Sequence, residues 1–371
     1  MSAFYTGFTR RGFLRRAAGT IALSVLPLSF TSYGERQQKK HSVYISKHSS
    51  YSESSYPQLK KRIEEMVVKL YQNTPFFSYG DKISLKINLV ATRDCLDLPA
   101  GYTYVTNPMV VKALGEVLLD LGAGSLFIIE GATHPSDTME AFAILGYDII
   151  ATHLGATLVD LNKAKPYADF TQVDIENGLI YGSILVNNHL LETDCLTTVS
   201  KLKVHSSAGI TLSLKNLIGL LPIQEYGING TGARMQYVHF PDERTQIPYN
   251  IVDIARAFPV DFAFIDGITA IDKGEGPWVK NISYVTPGVL IAGDNAVAVD
   301  SIGTIIMGFD PETAYPYQPF VNCYNHIQLA SNYSLGSNNL NDIAVFGENL
   351  SDVIFPYEPP DRKSTPAESY Y

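Results

Sequence analysis

Three lysines, a histidine and an asparagine stand in an otherwise apolar and small-residue run, KLKVHSSAGITLSLKNLIGLLP, from Lys201 to Pro222. An unpaired buried cation costs several kcal/mol or sheds its proton, so this density asks for a reason. On a strand, Lys201, Lys203 and His205 share one face. SSAG then turns the chain, and TLSLKNLIGLL opens a helix with Lys215 and Asn216 one turn in. Cations and free N–H groups thus converge at a strand's carboxyl end, where open parallel sheets bind ligands, and both favour an anion. His205 is the candidate general acid/base, because imidazole titrates near neutrality. Lys203 and Lys215 would hold the anion or supply an activated amine, with Asn216 beside them. The bland alternative is a solvated turn whose lysines snorkel.

Upstream, SLKINLV carries Lys86 and Asn88 near its carboxyl end. Alternation alone also allows them to be the wet side of an edge strand. Strand alternation and the carboxyl-end rule together predict that Lys86, Asn88, Lys203, His205 and Lys215 meet in one cleft.

A third group is acidic. FIDGITAIDKGEGPW holds Asp266 at a strand end, then Asp272 and Glu275 in a glycine-rich turn; AGDNAVAVDSIG holds Asp294 and Asp300. Asp266 and Glu275 are candidates for binding substrate or cofactor with Lys201 and Lys86. Asp294 has an ordinary role as a helix cap. Asp300 falls inside an apolar helix pattern, where a carboxylate needs a lysine or a metal. Carboxylates favour hard cations such as magnesium or calcium, so a divalent metal on Asp300 stays open. The chain has no H-E-x-x-H, no G-x-S-x-G and no Walker lysine loop.

The elements that must position these residues alternate strand and helix from about Ser42. YPQLKKRIEEMVVKLYQN is apolar at Leu59, Ile63, Met66, Val67 and Leu70, a helical spacing. DKISLKINLV alternates and reads as a half-buried strand. NPMVVKALGEVLLDLGAG has an asparagine cap, a proline at the first turn and glycines at its end. A hairpin-like region spans Thr171 to Val186; later, the helix PYNIVDIARAF leads into the strand DFAFIDGI, and the strand VLIAGD leads into the helix NAVAVDSIGTIIMG. This order predicts an α/β fold with a largely parallel central sheet flanked by helices. Residues 41–354 make up that unit, with lobes at 41–190 and 191–354 as one way to divide it. Residues 355–371 are proline-rich and polar, a flexible tail.

KLKVHSSAGITLSLKNLIGL, DGITAIDKGEGP and DNAVAVDSIGTIIMG, with KINLV upstream, resemble the family called domain of unknown function 362 over about residues 42–350. The resemblance maps the family's recurring polar positions onto Lys203, His205, Lys215, Asn216, Asp266 and Asp300. Many relatives also carry a ferredoxin-like segment for two four-iron clusters. Here Cys95, Cys195 and Cys323 are the three cysteines, too few for a cysteine-bound cluster. The resemblance therefore implies redox chemistry only with a separate electron-transfer partner.

The 371 residues carry a net charge of -9, which argues against a nucleic-acid partner, though gathered cations would still bind a small anionic ligand. The amino end, TRRGFLRR followed by an apolar run from Ala17 to Phe30, looks like a twin-arginine export signal. That run is too short to span a bilayer comfortably. Residues 1–40 then form signal and linker, and the protein is expected outside the cytoplasm, in a periplasm, anchored to the membrane if the signal is not cleaved. The expected function is that of an exported enzyme with a Lys/His/Asn and Asp pocket for a small anionic substrate or a phosphate-bearing cofactor. A non-catalytic exported receptor for an anionic solute and a metal-dependent hydrolase are the alternatives.

Overall fold

The computed structural model describes residues 41–89, 100–132, 137–227, 234, 238 and 242–359. Twelve strands lie among these residues: β1 His41–Lys47, β2 Lys82–Ile87, β3 Ser125–Glu130, β4 Thr157–Asp160, β5 Thr171–Asp174, β6 Ser183–Val186, β7 Cys195–His205, β8 Gly209–Ile210, β9 Phe262–Asp272, β10 Ser283–Val285, β11 Val289–Gly293 and β12 Ile343–Gly347. Ten share one sheet along the path β12-β1-β11-β9-β7-β2-β3-β4, with β10 on β9 and β8 on β7. β5 and β6 form the expected hairpin apart from it. β9, β7, β2, β3 and β4 run parallel, while β11 is antiparallel to both β9 and β1. The fold is thus α/β with a mostly parallel sheet. Sequence-distant strands are neighbours in it, because β1 leaves the amino-terminal half to lie between β12 and β11.

The helices that matter below are α1 Tyr56–Asn73, α2 Pro108–Asp120, α3 Thr138–Ile144, α4 Tyr147–Leu154, α5 Leu212–Asn216, α6 Glu243–Ala257, α7 Ala296–Ile306 and α8 His326–Asn332. Helix α1 buries Leu59, Ile63, Met66, Val67 and Leu70, the stripe its spacing predicts. With α2, α3 and α4 it covers one face of the sheet, in a core that includes Leu85, Ile87, Val199 and Phe264. Helices α5, α6, α7 and α8 cover the other face, over Ile129, Leu202, Val204 and Ile265.

Three expectations need correction. Strand β2 is not half-buried: every residue from Ile83 to Ile87 is buried, including Ser84 and Lys86, because a parallel sheet is covered on both faces. The cap of α7 is Asn295, whose side chain accepts from the Ala298 N–H at 3.1 Å; Asp294 instead accepts from the Ser42 N–H at 3.0 Å and ties β1 to the end of β11. Residues Phe355–Glu358, read from composition as part of a flexible tail, are tied down: Phe355 N–H donates to Ile306 at 2.7 Å, Tyr357 N–H to Met307 at 2.9 Å, and Tyr357 is buried.

Candidate functional site

The carboxyl ends of β2, β3, β7 and β9 place charged side chains above the core, and the register decides which of them can meet. Lys86 lies opposite Thr198, and Lys201 opposite Asp266. Thr198 and Lys201 are three residues apart on β7, so Lys86 and Lys201 leave the sheet on opposite faces. Lys86 and Lys201 therefore head two buried clusters on opposite faces, with Lys203, Lys215 and Glu275 near the strand ends.

On the α5 face, Lys86 Nζ meets Glu130 Oε1 at 2.7 Å, both side chains at most 3% exposed. It also donates to the Ile87 carbonyl at 2.8 Å and to Asn216 Oδ1 at 3.3 Å. Glu130 accepts further from the Leu89 and Gly131 N–H groups, at 2.8 and 2.9 Å. Asn216 Nδ2 donates to the Lys86 carbonyl at 2.9 Å, and Asn88 Nδ2 to Asn216 Oδ1 at 3.2 Å. Burial pushes Lys86 down and Glu130 up, each toward neutrality, and their contact opposes both shifts. Arg234, whose side chain is buried, donates to the Gly131 carbonyl at 2.8 Å and to Asn162 at 2.9 Å, and its field reaches Glu130. Gly219 is required here: a Cβ would stand 2.3 Å from Glu130 Oε1 and 2.6 Å from Lys86 Nζ.

On the opposite face, Lys201 Nζ meets Asp266 Oδ2 at 2.9 Å, both side chains fully buried. Tyr51 accepts from Lys201 at 2.9 Å and donates to Asp266 Oδ1 at 2.6 Å. The Asn107 N–H, at the start of α2, donates to Asp266 Oδ2 at 3.0 Å. This cluster is fully paired and joins β7, β9, α2 and the β1–α1 connection, as a structural knot does.

Between the two, Lys203 Nζ donates to the Tyr104 carbonyl at 2.6 Å and the Glu275 carbonyl at 3.1 Å. Burial, together with the neighbouring Lys215 charge, holds it well below the ordinary lysine range. The Glu275 carboxylate accepts from Ser206 N–H at 2.8 Å, Ser206 Oγ at 2.9 Å and Trp278 Nε1 at 3.2 Å, which pins the turn after β7. His205 Nδ1 accepts from the Ser207 and Ala208 N–H groups at 3.1 and 3.3 Å. An acceptor at Nδ1 means a neutral ring with its proton on Nε2, so His205 offers a donor rather than a base in this arrangement.

Lys215 differs from the other three lysines. It is half-buried on α5, and its amine has no hydrogen-bond acceptor and no carboxylate within ion-pair distance among the described residues. Burial lowers it to about 8; Glu275 opposes that shift, while Lys86 and Arg234 add to it. Its field in turn reaches His326, which burial lowers to about 3 and whose ring nitrogens are both buried without a partner among the described residues. Cys323, also buried, lies within the same electrostatic reach.

Asp300 explains how Lys215 is held. Its two oxygens accept from the Ser213 and Leu214 N–H groups, each at 2.8 Å, and so fix the first turn of α5 from α7. That turn starts at Leu212 with φ of 45°, a left-handed conformation costly for a leucine, which these bonds help to hold. Asp300 makes no ion pair with Lys215, and among the described residues no three His, Cys, Asp or Glu side chains gather as a metal set. Burial raises Asp300 to about 7 despite its two backbone donors. The folded state therefore holds a proton more tightly than the unfolded chain, so stability from this group is full below about pH 4 and falls as pH rises to 7. Asp300→Asn is expected to flatten that slope, which is at most about 4 kcal/mol, in denaturant melts between pH 4.5 and 7.5. An unchanged slope would place the titration elsewhere.

Glu130, Arg234, Tyr51 and His326 were not among the residues singled out from sequence. Glu130 had a usable signal, since it ends SLFIIE as Lys86 nearly ends KISLKI, and parallel neighbours end together. Tyr51 and Arg234 lie outside regular elements and pair with residues far along the chain, and His326 opens α8 with no signal of its own in the sequence.

The model of the family described as Domain of unknown function (DUF362) matches residues 83–304, and the chain belongs to that family. Among curated proteins, it is 24% identical over 238 residues to the Thylakoid-associated protein sll1697 of Synechocystis sp., a match covering 64% of this chain and 66% of that protein, just under two thirds of its length. A crystal structure of a Thermotoga maritima protein matches with a TM-score of 0.34 at 14% identity, covering 60% of this chain and 52% of that one. No helix among the described residues is long and apolar enough to cross a membrane.

Proposed function

We propose that this protein binds a small anion, a carboxylate or phosphate, at Lys215 and acts on it with the amines around that position. One observation carries the reading. Lys215 is drawn half out of solvent, beside the fields of Lys86 and Arg234, with no acceptor of its own among the described residues. Partial burial of an unpaired ammonium is unfavourable, and an arriving anion offsets it with charge-assisted hydrogen bonds. His205, anchored by the Ser207 and Ala208 N–H groups, has its Nδ1 3.9 Å from Glu275 Oε2. An enzyme fits better than a passive receptor, because a receptor needs a cation but has no use for amines drawn toward neutrality, as Lys203 and Lys215 are. A metal-dependent hydrolase is less supported, because Asp266, Glu275 and Asp300 spend their oxygens on protein donors.

Calorimetric titration with inorganic phosphate and with succinate tests the reading. We expect at least one of them to bind the natural chain, and Lys215→Met to weaken that binding at least tenfold. Equal binding by the variant would contradict it.

Export is a separate part of the proposal, and it concerns residues 1–40, which lie outside the described residues. Its support is the arginine pair before an apolar run. Replacing Arg10 and Arg11 together by lysine is expected to leave the protein in the cytoplasm on fractionation. Undiminished export of that variant would overturn the twin-arginine reading.

A further inference from the structure

We propose that Lys215 forms an imine with a small anion that itself carries a carbonyl, an oxo-acid in chemical class. The inference rests on the anion site proposed above and names what that site would do.

Four lysines stand near these strand ends, and three are committed. Lys86 is spent on Glu130, a carbonyl and Asn216. Lys201 is spent on Asp266 and Tyr51. Lys203 is fully buried and donates to two carbonyls. Lys215 alone among them reaches solvent and has no acceptor among the described residues. Its backbone is fixed by the two Asp300 bonds, so the amine is carried on an anchored turn rather than a loose one.

The surroundings favour a lone pair on that nitrogen. Burial is what opposes its proton, with smaller help from Lys86 and Arg234 and against the pull of Glu275, and a lysine drawn out of solvent in this way is activated as a nucleophile. The step then balances without redox chemistry. The neutral amine adds to the carbonyl carbon and forms a carbinolamine. Uptake of one proton and loss of one water give the protonated imine. The cation that the site began with is retained on the imine nitrogen, so no new charge is buried.

Reductive trapping decides the matter. The full chain is incubated at pH 7 with glyoxylate and cyanoborohydride, and the adducts are mapped by peptide mass spectrometry. Burial lowers the Lys215 amine to about 8 and so raises its neutral fraction at that pH, and Lys215 is expected to be modified well ahead of Lys61, which is chosen for its exposure, its side chain being 73% exposed. Lys215→Arg keeps the charge and should still bind inorganic phosphate, but leaves no adduct on α5. Adducts that follow exposure, with Lys61 ahead of Lys215, would overturn the proposal. If the natural chain binds phosphate yet gives no Lys215 adduct, the imine is wrong and the anion site stands; if it neither binds phosphate nor reacts, both fall.

Discussion

Lys86→Met is expected to destabilise the protein by about 3–5 kcal/mol, read as a lowered denaturant midpoint, because it strands a buried carboxylate. Glu130 sits at the end of β3, 2% exposed, with Lys86 at 2.7 Å and backbone donors at Leu89 and Gly131. Removing the ammonium leaves the two N–H bonds but no counter-charge in direct contact, and Arg234 spends its donors on carbonyls and Asn162. The double variant Lys86→Met/Glu130→Gln should recover part of the loss, because the stranded charge goes with its partner. Additive losses in that cycle would show that the two residues are held independently. Gly219 allows no larger side chain to fill the gap, since its Cβ would fall where the pair now meets.

The same substitution at Lys215 is expected to behave in the opposite way. Lys215→Met removes a half-buried ammonium that has no partner among the described residues, so it strands no bonded carboxylate and relieves an unfavourable burial of charge. The melting temperature should hold or rise, while anion binding falls at least tenfold. A residue that can be lost without harm to the fold but not without harm to binding is held in place for a ligand. A loss of stability equal to that of Lys86→Met would instead make Lys215 part of the structural network. The contrast separates two lysines that look alike in sequence, each in a short apolar stretch with an asparagine one or two positions on.

Much of the scaffold could be read from periodicity, because its signals are local. The stripe of α1, the asparagine and proline opening α2, and the extended runs of β7 and β9 each follow from residues within one element. The site was legible residue by residue but not as an arrangement. Lys201 and Asp266 were each chosen as ligand-binding groups, yet they satisfy one another across neighbouring strands, 65 positions apart. Lys86 fits the wet side of an alternating strand, but α5 covers that side, and coverage is a property of the whole sheet. Asp300 signalled that it needed a partner, and the partner proved to be the backbone at the start of α5. That need could be read from burial pattern; its answer depends on two helices far apart in the chain.

The central claim is that an anion sits on Lys215, and anomalous diffraction from crystals soaked in tungstate, a phosphate mimic, tests it most directly. The account predicts an anomalous peak within hydrogen-bonding distance of Lys215 Nζ in the natural chain, lost in Lys215→Met and retained in Lys86→Met if that variant crystallises. Tungstate bound only elsewhere on the molecule, or at the same place after Lys215 is replaced, would contradict it.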